Sequence, residues 1–471
     1  MKTIKIILIL AVVSMLSPSC RLFPRKTPVI LIVLDTVRKD HLSVYGYPRK
    51  TTPFLEKLAK ESVVFNNAYT PIPLTAPAHT SLFTSAYPSE HQVLENGWQL
   101  LNWRRPLLAE VLKKNGYQTG AVVGSAILHR GLKLNRGFDF YKDDEFTILT
   151  STAKKNLEQD SAEDDETGAR TKKAHKRQAQ DVTKWCRKWL EGIRPKAPFF
   201  LFAHFWDAHR AYYLPDTFVR PFQVDPEFAA WLEANHYLLK DHYELINEYD
   251  NAIFYLDQNL ESLFLYLDQK GILNRALIII TADHGEGLGQ HNIYWHCLRI
   301  YQEQTRVPLL IRFPDQYRAG AKIDANVSLI DLAPTILDFL KLKDPMQGRG
   351  ESLLPLISGE KKERRACEFI ERKWYPKENL AKLEKWAPGK KAGIICGEWK
   401  AIWASEEPAE LYHLNDDAFE LTNLKDTEKK KYLELETILQ EHLEKVNFFS
   451  VREQEMSKKM QERLQSLGYL K

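Results

Sequence analysis

The residues with chemical capacity stand at the ends of apolar runs. Asp35 closes "VILIVLD", and Asp283 with His284 closes "LIIITADH". His209 follows "FFLFAHFW", with Asp207 beside it. His296 lies in "ADHGEGLGQHNIYWH", a glycine-rich stretch able to fold close to a bound ion or anion. Carboxylates and imidazoles hold divalent cations and move protons. The stretch "PIPLTAPAHTSLFTS", residues 71–85, adds Thr75, His79 and Ser81. It reads either as a plain strand-to-helix connection or as a loop presenting a nucleophile. Each feature also has a plainer reading: Asp35 capping a helix near Val37, "DHG" making a turn, His291 as a surface or hydrogen-bonded imidazole. In open α/β sheets, however, ligands bind beyond the carboxyl ends of strands, so Asp35 and Asp283–His284 are delivered to one edge. His209 and His296 lie in loops beyond strands and are assigned to a shared site there.

The elements needed to position these groups are legible. "TPVILIVLD" is a buried strand of a parallel sheet. "TTPFLEKLAKESVVF" is a helix and then a strand, with Thr52 as cap and Pro53 in the first turn. "RRPLLAEVLKKNGYQTGAVVG" repeats that unit, Gly116 stopping the helix. "DVTKWCRKWLEGI" and "YDNAIFYLDQNLESLFLYLDQKG" are helices, and "APFFLFAHFW", "ALIIITAD" and "RVPLLIRFP" are strands. This alternation predicts an α/β fold with a mostly parallel sheet flanked by helices. Beyond "SLLPLISGE", the runs "GIICGEWKAIWA" and "AELYHLN" predict a small antiparallel sheet in a C-terminal α+β subdomain. The expected layout is a catalytic domain over 27–360, a subdomain over 365–425 and a helical segment over 426–471. A charged, solvated insertion is expected at about 150–180.

Sixty-six basic against 62 acidic residues in 471 exclude a nucleic-acid binder, which needs a concentrated basic face. The five cysteines lie far apart and show neither a C-x-x-C pair nor a disulfide framework. Residues 1–20 read as an export signal: Lys2 and Lys5, the apolar "IILILAVVSML", then "SPSC". Lipidation of Cys20 is the favoured outcome, anchoring the protein to a membrane in the cell envelope or periplasm. Ordinary secretory cleavage and an uncleaved anchor are the rivals.

In this order, "VILIVLDTVRKDHLSVYGY", "PLTAPAHTSLFTSAYPSEH", "LAEVLKKNGYQTGAVVG", "TADHGEGLGQH", "RVPLLIRFP" and "VSLIDLAPTILDFL" resemble the sulfatase family of the alkaline-phosphatase-like superfamily. "AELYHLNDDAFELTNL" resembles its C-terminal closing segment, and "LQSLGYLK" its last helix. The likeness covers nearly the whole chain outside the charged insertion. It implies the superfamily's fold and a nucleophile in the loop at Thr75. Sulfatases there carry Cys (or Ser)-x-Pro-x-Arg, whose first residue becomes formylglycine. Here the stretch is Thr75-Ala76-Pro77-Ala78-His79, so Thr75 takes the nucleophile slot and His79 the arginine slot. No cysteine is followed two places on by proline, so no formylglycine is expected. Related phosphodiesterases and phosphoethanolamine transferases use an unmodified Thr or Ser. The usual aspartate pair is Asp35-Thr36, and the usual Gly-Lys-x-His is Gly124-Ser125-Ala126-Ile127.

The resemblance therefore implies an enzyme that cleaves sulfuric or phosphoric esters with Thr75 as nucleophile and a covalent intermediate. Asp35, Thr75, Asp283 and His284 make the metal shell. His209 and His296 stabilise the equatorial oxygens, bind a second metal or protonate the leaving group. Mixed oxygen and nitrogen ligands favour zinc or manganese, with calcium the other option. The partner expected is a sulfate- or phosphate-ester substrate on a glycan or lipid headgroup. A phosphoethanolamine-type transferase and a non-catalytic envelope binding protein are the alternatives.

Overall fold

The computed structural model describes residues 26–143, 177–194, 197–212, 214–237, 243–361, 365–375, 387–451, 456, 458 and 461. The export signal with Cys20, most of the charged insertion and "LQSLGYLK" lie outside them. Among the described residues no helix is long and apolar enough to cross a membrane.

The strands of the main sheet are β1 (Val29–Leu34), β2 (Val63–Tyr69), β3 (Gln118–Val123), β4 (Phe140–Lys142), β5 (Phe199–Phe205), β6 (Leu277–Thr281), β7 (Arg306–Arg312) and β8 (Lys322–Ser328). They run in the order β4-β3-β5-β1-β6-β7-β2-β8. Every pairing is parallel except those of β7 with β6 and with β2. β1 sits between β5 and β6, and its residues are at most 1% exposed, which is why it reads as an unbroken aliphatic run. The main helices are α1 (Pro53–Ala59), α2 (Thr75–Thr84), α3 (Leu108–Lys114), α4 (Ala179–Gly192), α5 (Tyr243–Gln269), α6 (Leu332–Phe339) and α7 (Lys429–Lys445). The fold is a mixed, mostly parallel sheet flanked by helices, with a second small sheet.

That second sheet is antiparallel, in the order β12 (Glu410–His413), β11 (Trp399–Ala404), β10 (Gly389–Cys396), β9 (Cys367–Tyr375). Helix α7 packs on β10 and β11. Cys367 and Cys396 face each other across the β9–β10 pair and form a disulfide, with Cα atoms 4.3 Å apart. The expectation of no disulfide framework is thus corrected. Two cysteines 29 positions apart become opposite only once the strand register is set.

Two local expectations also change. Thr52 precedes α1, but its side chain makes no cap. The Asp257 carboxylate from α5 accepts the N–H groups of Phe54 and Leu55 at 2.7 and 3.0 Å instead. A buried carboxylate facing a helix N-terminus does the same electrostatic work as a local cap. The charged run at 150–180 ends inside the fold: Arg177 is buried against the carbonyls of Val123 and Lys142, and α4 begins at Ala179.

Candidate active site

Asp35 does not cap a helix. After it, Thr36 takes a left-handed conformation, φ 57°, costly for a β-branched residue. Its hydroxyl is spent on the carbonyls of Asp35 and Ala208, at 2.7 and 2.8 Å. Thr36 therefore does not stand in for a second aspartate. Its N–H instead donates to Asp283 Oδ1 at 3.2 Å, joining the ends of β1 and β6. His284 N–H donates to the same oxygen at 2.9 Å. Asp283 Oδ2 is buried with no hydrogen-bond partner.

Thr75 is the first residue of α2. Leu74 before it is extended, and Thr75 makes no capping bond. Every residue of α2 is buried. The helix tolerates this because Thr80 and Thr84 return their hydroxyls to carbonyls four residues back. Thr75 Oγ1 lies 3.2 Å from His284 Nε2. His284 Nδ1 donates to the Gly285 carbonyl at 2.9 Å, so Nε2 carries the lone pair and the Thr75 hydroxyl donates to it. Burial pushes the His284 imidazole down to about 4, the nearby Asp283 carboxylate only partly opposing this. Ser81 also meets an imidazole, His91 Nε2 at 2.9 Å. There Nδ1 accepts from Val93 N–H, so Nε2 bears the proton and cannot take one from Ser81.

Four imidazoles share one arrangement. Nδ1 of His79 donates to Thr75 O, of His284 to Gly285 O, of His209 to Arg210 O, and of His296 to the Glu286 carboxylate. Each is pinned through Nδ1, the presentation typical of metal ligands and proton carriers. Ring centres link them: His284–His296 at 4.5 Å and His296–His209 at 5.1 Å. His209 also stacks on Trp206, 3.9 Å between centres. Trp98, Trp103 and Trp206 are core residues, whereas Trp295 is exposed with the Arg210 guanidinium 4.8 Å above its ring.

Sequence reasoning missed two members. His204, inside β5, reaches Asp35 Oδ2 through Nε2 at 2.9 Å. Its Nδ1 accepts from Gly124 N–H at 3.3 Å, so Nε2 donates. Burial holds this imidazole well below its usual range. A Cβ on Gly124 would lie 2.8 Å from the His204 carbonyl, so this approach needs glycine. The signal was an imidazole within a run of phenylalanines. Glu286, which pins His296, stood in plain view in "DHGEG". His291 lies apart from this group, its Nδ1 2.9 Å from Glu303 Oε1.

The donor atoms of Asp35, Asp283 and His284 lie within 4.8 Å of one another, as do those of His79, His204 and Asp283. With Asp283 Oδ2 buried and unsatisfied between them, these residues fit a divalent cation. The structure brings Asp35, Asp283, His284 and Thr75 together, with His209 and His296 following along the ring chain.

A hydroxyl beside buried carboxylates and imidazoles, on the carboxyl edge of this sheet, defines an ester hydrolase of the alkaline-phosphatase-like class. Within it the chain belongs to the sulfatase family: the Sulfatase family model matches residues 27–342. The model for the N-sulphoglucosamine sulphohydrolase C-terminal region matches residues 289–448. It is thus a sulfatase-like hydrolase of sulfuric or phosphoric esters. The chain is 24% identical to an N-acetylglucosamine-6-O-sulfatase of Bacteroides thetaiotaomicron over 88% of its length and 86% of that protein's. It is 26% identical to an ulvan-active sulfatase of Formosa agariphila over 71% of its length, and the match spans 65% of that relative. The phosphonate monoester hydrolase of Agrobacterium radiobacter shares the fold at a TM-score of 0.68 and 21% identity, over 90% of this chain and 95% of that one.

Proposed function

We propose that the chain is a metal-dependent hydrolase that cleaves sulfuric or phosphoric esters by attack of the Thr75 hydroxyl, through a covalent intermediate. The observation carrying this reading is the burial of Thr75 Oγ1 at a helix start, 3.2 Å from His284 Nε2 and beside the Asp35–Asp283 pair. Asp35, Asp283, His284 and Thr75 would hold the cation. When bound it would stabilise the deprotonated Thr75 oxygen and offset charge on the ester. Zinc or manganese suits the donor set better than calcium.

Thr75 Oγ1 forms a bond to phosphorus or sulfur as the bond to the leaving oxygen breaks. The leaving oxygen takes a proton from His209 or His296. A water, losing a proton back to that imidazole, then cleaves the threonyl ester and frees Thr75. Helix α2 places the attacking oxygen at its positive end, which favours developing negative charge. The substrate is read as an ester on a sugar, in keeping with the relatives' names. Trp295 and Arg210 flank His209 and His296 as a ring and a cation for such a group to meet.

Export, with a lipid on Cys20, belongs to the same reading. The Cys367–Cys396 disulfide supports it, since such bonds persist in oxidising compartments. Mass spectrometry of the mature amino terminus checks it, and intact Met1 with unmodified Cys20 in cytosol would end it. The catalytic reading is tested with aryl sulfate, phosphate monoester, phosphodiester and phosphonate substrates, each with several metals. A modified peptide containing Thr75 should be trapped by mass spectrometry with the best substrate. Turnover by protein free of metal, or a trapped modification elsewhere, would overturn it.

A further inference from the structure

The imidazole of His296 is held by a carboxylate whose own far end is unheld. Glu286 Oε1 lies 3.1 Å from His296 Nδ1, and Glu286 Oε2 is buried with no hydrogen-bond partner. The direction of that carboxylate is therefore set by the backbone that carries it. This backbone is the run 285–289, in which three of five residues are glycine. Glycine leaves a chain free to take many paths, so such a loop keeps one path only when other groups hold it.

Arg38 does the holding. It follows Asp35 by three positions, and its side chain is 1% exposed. Nε and Nη2 donate to the two oxygens of Asp40 at 2.9 and 2.6 Å, a fork that fixes the plane of the guanidinium. Nη1 donates to the Glu286 carbonyl at 3.2 Å and to Gln290 Oε1 at 2.7 Å. One nitrogen thus ties both ends of the glycine-rich turn. The stem packs as closely as the head. A Cβ on Gly285 would lie 3.1 Å from Arg38 Cγ and 2.0 Å from the Glu303 carbonyl oxygen. Gln290 is in turn bonded to the Tyr237 hydroxyl, Tyr237 to His41 Nε2 at 2.7 Å, and His41 Nδ1 to Asp250 of α5 at 2.8 Å. The turn is fastened through buried groups to the end of β1 on one side and to α5 on the other.

We propose that Arg38 is a positioning residue for the reaction: it holds Glu286 where the carboxylate fixes the tilt of the His296 imidazole. This rests on the role given to His296 above and adds the group that maintains it. Arg38 acts through Glu286 and His296, not on the ester.

Arg38→Gln and Arg38→Lys are compared with wild type for turnover, KM, bound metal and melting temperature. The substrate is an alkyl ester of whichever class is turned over, because an alkoxide leaving group needs a proton. Turnover should fall by about 100-fold in both variants, with KM and bound metal unchanged. Lysine fails as glutamine does, since one ammonium cannot fill the Asp40 fork and both acceptors of the turn. Wild-type turnover in either variant would overturn the proposal. A double-mutant cycle with His296→Ala gives the decisive reading. Once His296 is gone, Arg38→Gln should cost little further turnover. A full, additive loss in that background makes Arg38 a general structural residue and ends the proposal. Should Arg38→Gln fail to fold, Asp40→Asn repeats the reading from a half-exposed position. It loosens the fork, and its smaller loss should vanish in the same background; a loss that persists there counts against the proposal. His296→Ala alone separates the two levels. If it turns over normally, the role of His296 is wrong and the proposal falls with it. If it is impaired and the losses add, His296 keeps its role and Arg38 alone is refuted.

Discussion

Buried charge is handled in opposite ways at the floor of the site and in the C-terminal subdomain. In the subdomain, Lys400 Nζ lies 2.6 Å from Glu420 Oε1, and both residues are at most 1% exposed. Lys400 also donates to the Ile300 carbonyl. Arg372 is surrounded by the carbonyls of Leu298, Ala387, Pro388 and Gly389, and burial among them lowers its guanidinium to about 10. Glu371 accepts from Ser89 N–H and Oγ–H, tying β9 to the segment that follows α2. At the floor of the site, Asp283 Oδ2, Glu286 Oε2 and His79 Nε2 have no hydrogen-bond partner at all. Leaving a buried polar group unmet costs about 1–3 kcal/mol, and more for a charged one. The buried charges of the subdomain lie against opposite charges or carbonyls of their own chain, although Arg372 Nε has no hydrogen-bond partner there; the unmet atoms at the floor of the site are ones that a bound ion or substrate would meet.

The largest test of this contrast is on the nucleophile. Thr75→Ala should lower turnover by about 10⁴-fold or more while metal binding persists. Because Thr75 makes no cap, its melting temperature should barely move. Thr75→Ser should keep measurable activity, and the wild-type enzyme should be active from a host lacking the formylglycine-generating enzyme. Near-normal turnover in Thr75→Ala would reduce the loop to a connection.

The next pair of variants compares the two regions directly. Asp283→Asn should abolish metal binding and activity, yet the metal-free variant should melt no lower than the metal-free wild type, since the amide oxygen can keep the two N–H bonds of Oδ1 while the unmet charge at Oδ2 is removed. Lys400→Met should do the reverse. It strands Glu420 without its cation and should cost about 3–5 kcal/mol of stability, measured by denaturant unfolding. If both variants lose the same stability without metal, the unpartnered atoms of the site are not the strain this contrast makes them.

The order of these effects reflects what a single sequence displays. An apolar run ending in aspartate names both a strand and the edge it feeds, so Asp35, Asp283 and His284 were legible before any contact was known. The antiparallel direction of β7 was not, because "RVPLLIRFP" has the same buried pattern as its parallel neighbours. His204 was hidden inside a strand, and its partner Asp35 is 169 positions away. The Thr36 substitution looked like a lost ligand, and only its two hydroxyl bonds show it serving the backbone. What was missed are long-range pairings of polar groups, which no local period encodes.

The smallest effect is expected where the two regions meet. His291 lies in the loop that carries His296, its Nδ1 2.9 Å from Glu303 and its Nε2 3.1 Å from the Glu420 carbonyl. Burial alone would lower this imidazole, but the Glu303 carboxylate and the bonds it accepts outweigh burial and raise it to about 9. A folded-state value above the unfolded one, near 6.5, means the charged form is favoured by folding. The stabilisation is therefore full below about pH 6.5 and is lost as pH rises through about 9. Calorimetric melting from pH 6 to pH 10 should show wild type more stable than His291→Gln by on the order of 1–3 kcal/mol at the acid end. The two proteins should converge at the alkaline end. Bound metal should stay constant in both, because His291 belongs to the paired side of the contrast. A His291→Gln protein that loses metal would move the boundary between the two regions, and one whose deficit grows with pH would reverse the sign of the linkage.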